Sequence, residues 1–135
     1  DLISLEDITN WTKYIKANHV LILLDCCFSG LATMRGTFKI SNNKVPKNTI
    51  TKILSKKNRI VITAGDKDEM VSDGGWGNNS IFTGLLLSYP GLHNNLGSVI
   101  DLYSYLLENI PKYSNQIPCM GKLIGDEGGN IFLNL

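Results

Sequence analysis

Five consecutive aliphatic residues, Val20 to Leu24, run without a polar break into Asp25, Cys26 and Cys27, and no other stretch of the chain limits its fold as tightly. A strand without polar alternation is the pattern of one buried on both faces, as in parallel sheets covered by helices. The sequence therefore places a strand over His19–Asp25 in the middle of an α/β sheet. Five apolar residues fall far short of the roughly 20 that cross a bilayer as a helix, so no membrane span and no membrane partner are expected.

The flanking segments fit the same class. Ser4 with Asp7 makes a capping-box pattern, and Leu5, Ile8, Trp11 and Ile15 recur at helical spacing, which predicts a helix from Ser4 to Lys16. Thr49–Lys57 reads as a short helix and Arg59–Ala64 as a second β-branched strand, an order that favours a parallel crossover. Ser80 can cap a helix to Tyr89, with Pro90 and Gly91 behind it. Ser98 with Asp101 repeats the capping box ahead of Val99, Leu102, Tyr103, Leu106 and Ile110. Asn130–Leu135 reads as a closing strand. Cys26–Asn48 and the glycine- and acid-rich Gly65–Ser80 read as loops. A chain of 135 residues supports one core and one domain.

Charge and cysteine content narrow the partners. The net charge is only +1, yet eight of the thirteen Lys and Arg lie between Arg35 and Arg59, where no acidic residue occurs. With Phe38 as its single aromatic and no groove-binding motif, this stretch reads as a solvated loop and helix face, so no nucleic-acid partner is expected. Cys26, Cys27 and Cys119 are too few and odd in number for a disulfide scaffold, and they fit a reducing, cytoplasmic setting. Adjacent cysteines lack the spacing of zinc ligands, and no metal or cofactor is expected.

In open α/β sheets chemistry sits outside the carboxyl ends of the strands, where this chain carries Asp25, Cys26 and Cys27. The stretch HVLILLDCCFSG resembles the nucleophile strand of caspase-like cysteine peptidases, in particular metacaspases and prokaryotic caspase homologues. RIVITAGDKDEMVSD followed by GNNSIFTGLLL resembles that family's next strand, substrate loop and Phe-Thr helix, and QIP at Gln116–Pro118 and the terminal IFLNL its closing segment. The resemblance implies a three-layer α/β/α sandwich with a mostly parallel central sheet, incomplete in this chain, and makes residues 1–135 the C-terminal portion of a peptidase domain. It implies that Cys27 is the nucleophile of a cysteine endopeptidase acting through a thioester. Asp25 would line an acidic S1 pocket that takes Arg or Lys, and Asp66, Asp73 and Trp76 would form another wall of the substrate cleft. Arg35, Lys39, Lys44 and Lys47 become candidate self-cleavage sites, and Asp66 to Asp73 could attract calcium without specifying a site.

A thiol with an ordinary pKa near 8.5 needs a nearby base. His19 begins the strand that ends beside Cys27 and stands roughly 26 Å away, too far to serve. His93 follows a turn and reads as a surface residue. In the family the catalytic His and an oxyanion-hole Gly precede the helix at which this chain opens, which implies a partner: the N-terminal portion of the same domain, carrying the His. The other partner implied is a protein or peptide substrate. A non-catalytic caspase-like scaffold keeps the same pattern, and a phospho-receiver with Asp25 as acceptor lacks its paired acidic cluster and its Lys.

Overall fold

The computed structural model describes residues 4–28, 47–66, 75–94 and 97–133. They form a mixed α/β unit of five helices and five strands: α1 (Leu5–Tyr14), β1 (His19–Phe28), α2 (Lys47–Ser55), β2 (Asn58–Asp66), α3 (Ile81–Leu87), α4 (Pro90–Asn94), β3 (Gly97–Ser98), α5 (Val99–Asn109), β4 (Cys119–Lys122) and β5 (Phe132–Leu133). A 3-10 turn at Ile110–Lys112 follows α5. The main sheet has the order β1-β2-β4, with β1 parallel and β4 antiparallel to β2. β3 and β5 make a separate antiparallel pair.

β2 sits at the centre of this sheet. Val61, Ile62, Thr63 and Ala64 are all fully buried, so both faces of the strand are covered. Ile60, Ile62 and Ala64 meet Phe82 and Leu85 of α3 and Val99, Leu102 and Leu106 of α5 in the core, with Leu21 and Leu23 of β1 packed against its margin. Both capping boxes form as the sequence predicts: Ser4 and Asp7 bond reciprocally at the start of α1, and Ser98 and Asp101 at the start of α5.

Among the described residues β1 is an edge strand, half-buried from His19 to Leu24, with a neighbour on one side only. Several expectations are corrected. The sheet is mixed rather than mostly parallel, because β4, which the apolar pattern does not announce, returns antiparallel along β2. Among the described residues the closing strand is Phe132–Leu133, beginning after Asn130, and it pairs with β3 rather than with the main sheet. Arg59 does not belong to a solvated basic face. It is buried, and its guanidinium donates to the carbonyls of Thr12, Ile15 (2.8 Å) and Ala17 (3.2 Å). These acceptors lie where α1 stops at Tyr14, two residues short of the predicted Lys16, because the chain there turns its carbonyls to Arg59 rather than continuing the helix.

The opposite side of Arg59 is tied down as well. Its backbone N–H donates to Asp126 Oδ1 at 3.0 Å, and Asn58 Nδ2 donates to the same oxygen at 3.2 Å. Lys122 Nζ and the Gly128 N–H reach Asp126 Oδ2 at 3.1 and 3.2 Å. One carboxylate thus joins the start of β2, the end of β4 and the loop beyond it. Among the helices, the ring of Tyr89 fills the space that a Cβ on Gly91 or Gly97 would need, and it packs beside Tyr105 at 5.3 Å between ring centres.

Two outcomes follow from these contacts. Arg59→Met keeps the aliphatic stem but strips the donors from three carbonyls, and is expected to lower the unfolding free energy by about 2–4 kcal/mol, read by urea denaturation with faster amide exchange at the end of α1. Burial, reinforced by the Asp101 carboxylate, raises the Tyr89 hydroxyl above its usual 10.0. The neutral form is favoured in the folded state, so its contribution is fully present below about pH 10 and is lost as pH rises beyond it. Urea unfolding at alkaline pH should show that decline, and Tyr89→Phe should flatten it.

Candidate active site

The carboxyl edge of the sheet is built around an irregularity in β1. From His19 opposite Asn58 to Leu24 opposite Thr63 the register with β2 is regular; it resumes with Cys27 opposite Gly65 and Phe28 opposite Asp66. Asp25 and Cys26 therefore stand together against the single residue Ala64. Such a bulge adds one residue, bends the strand and changes where the following positions come level with the neighbouring strand. It falls on the Asp-Cys-Cys run that the sequence singles out. Cys27 occupies the backbone of β1 just past the bulge, and its side chain lies outside the described part of the structure. Cys26 is exposed.

Asp25 is held from the far side of the sheet edge. Ser80 Oγ donates to its Oδ2 at 2.5 Å, and Thr83 Oγ1 donates to the same oxygen at 2.6 Å. Ser80 has two tasks: it is also the N-cap of α3, accepting the Thr83 N–H at 3.0 Å, which is the local reason the helix starts where it does. The carboxylate remains solvent-exposed, and Oδ1 has no hydrogen-bond donor among the described residues. A fixed, exposed carboxylate with one oxygen free is chemically equipped to receive a cation.

The other predicted residues divide. Trp76 is half-buried rather than open to a cleft. Its indole lies edge-on to Tyr113 at 4.8 Å and 89°, and rests on α3 so closely that a Cβ at Gly84 would come within 2.3 Å of it. A reciprocal pair of backbone hydrogen bonds with Asn79 and positive φ at Gly75 and Gly77 bend the chain around it. Trp76 thus packs over the core beside α3. Asp66 ends β2 level with Phe28, with its side chain outside the described part. Asp73 and the basic positions Arg35, Lys39 and Lys44 lie outside the described residues, and Lys47 opens α2.

His19 sits at the far end of β1 from Cys27, with its Nε2 at 3.1 Å from the Leu54 carbonyl, in keeping with its exclusion as a base. His93 lies in α4, with its side chain outside the described part. Sequence reasoning did not anticipate the role of Ser80 and Thr83 toward Asp25, since capping accounts for Ser80 and nothing local marks a partner 55 residues upstream. Gln116 is marked in the sequence only as part of the QIP segment. This residue is buried on the approach to β4, accepts from Ser114 Oγ at 3.0 Å, and has no partner for its Nε2 among the described residues.

No family model matches this chain, and comparisons with curated proteins and with solved structures return no match. Among the described residues, no helix is long and apolar enough to cross a membrane. The seating of Trp76 has a direct check: Gly84→Ala forces the indole off α3 and is expected to destabilise the fold by about 1–3 kcal/mol, measured by urea unfolding together with a red shift in tryptophan emission.

Proposed function

We propose that this chain is the nucleophile-bearing portion of a caspase-like cysteine endopeptidase that cleaves after Arg or Lys. The observation that carries the reading is the coincidence, at the carboxyl end of β1, of a bulge, a thiol-bearing strand terminus at Cys27 and an exposed carboxylate at Asp25. The Cys27 thiolate attacks the scissile carbonyl, the peptide C–N bond breaks, and a His protonates the departing amine. Water then hydrolyses the thioester, releasing the carboxylic acid and regenerating the thiol. The Cys27 backbone N–H would donate to the oxyanion. Asp25 receives the cationic side chain of the residue before the cleaved bond.

The His comes from a partner segment, the N-terminal portion of the same domain. The outer edge of β1, which has no neighbouring strand among the described residues, supports this: such an edge offers a row of backbone groups to an incoming strand. Apolar side chains left exposed on α1 and just after it, Trp11 (54%), Tyr14 (82%) and Ile15 (40%), favour a further covering layer over that helix. With that segment in place the sheet extends past β1, and the fold becomes the three-layer sandwich with Cys27 in its interior cleft. The small, odd number of cysteines supports a reducing, cytoplasmic setting.

The test uses the polypeptide that includes residues upstream of Asp1. It should hydrolyse fluorogenic peptides with Arg or Lys before the cleaved bond, and Cys27→Ala should lower kcat/KM by about a thousandfold or more, as loss of a nucleophile does. Cys26→Ala should retain activity. Cleavage after Asp, or activity that survives Cys27→Ala, would overturn the proposal, and a correctly folded domain without hydrolysis would favour the scaffold reading.

A further inference from the structure

Building on the proposed peptidase reading, we infer that Ser80 and Thr83 set how Asp25 recognises the basic residue, presenting one carboxylate oxygen rather than two. Both hydroxyls converge on Oδ2, at 2.5 and 2.6 Å, while no described residue donates to Oδ1. Two short O–H bonds occupy the acceptor directions of Oδ2. A guanidinium achieves its tightest contact with a carboxylate through two parallel N–H bonds, one to each oxygen, and that fork is closed to a carboxylate whose second oxygen is already engaged. An ammonium, a point charge with rotatable donors, needs only the single oxygen that remains.

The clamp therefore removes the intrinsic advantage of Arg over Lys. Ser80 and Thr83 are positioning residues: they touch Asp25, and Asp25 touches the substrate. The arrangement joins the edge strand to the first turn of α3, so the same two hydroxyls that anchor the helix also tune the pocket.

Thr83→Val removes one hydroxyl from Oδ2 while keeping the shape of the side chain and leaving the Ser80 cap in place. The domain with its N-terminal portion is assayed on matched peptides that differ only in Arg or Lys before the cleaved bond, and binding of the same peptides to the Cys27→Ala form is measured in parallel. The wild type should accept the two within about fivefold of each other. In Thr83→Val the Arg preference should widen several-fold, about one added charge-assisted hydrogen bond, through a lower KM for Arg with kcat held, and Thr83→Ser should return the ratio to the wild-type value. Cleavage after basic residues with a ratio indifferent to Thr83→Val overturns this inference and leaves the peptidase reading intact. Binding with the expected ratios but no hydrolysis by the unmutated domain overturns the peptidase reading and keeps the clamp. Absence of both binding and hydrolysis overturns both.

Discussion

The burial of β2 is the constraint on which the rest of this structure depends. It is the strand with hydrogen-bonded neighbours on both edges and covered residues on both faces, from Ile60 to Ala64. Such a strand leaves no backbone group to water, so its ends must be closed by other means. At the amino end the closure is polar and dense. The Arg59 guanidinium takes carbonyls in the last turn of α1 and just after it, and the Asp126 carboxylate takes the N–H of Arg59 and the amide of Asn58. A guanidinium is suited to this task because several donors in a rigid plane can satisfy several acceptors at once. At the carboxyl end the strand is flanked by the bulged terminus of β1 and the entry of β4.

The two ends of the sheet are thus built differently. The amino end ties together segments far apart in sequence through buried charge and leaves little to move. The carboxyl end relies on two short, charge-assisted hydroxyl-to-carboxylate bonds at an exposed carboxylate. Asp25 is a tether between β1 and α3 and, in the reading advanced above, a recognition group. The two roles are compatible because they use different oxygens of one carboxylate.

What could be read from the sequence was what is local. The capping boxes of Ser4 with Asp7 and Ser98 with Asp101 are complete within four residues, and both formed as expected. The parallel pairing of β1 with β2 also followed from two β-rich runs separated by a helix. What could not be read was non-local. Val20 to Leu24 look like an interior strand, but whether a strand is interior depends on what lies beside it, which no periodicity records. Cys119 to Lys122 include a glycine and show no alternation, so β4 was invisible until its pairing with Ile60 to Thr63 was seen. Arg59 looks like one more member of a basic run, and its burial is decided by carbonyls more than 40 residues earlier. For the candidate site, the strand end and its Asp-Cys-Cys run were legible, whereas the donors to Asp25 lay 55 and 58 residues away.

The two tryptophans stand in unlike surroundings, and this gives the molecule a pair of built-in optical probes. Trp11 projects from α1 into solvent, while Trp76 lies pressed between α3 and the ring of Tyr113. A soluble quencher should extinguish the former at low concentration and reach the latter only when the region around α3 loosens. Light emitted by one chain can therefore report separately on the exposed face of α1 and on the corner that holds Asp25.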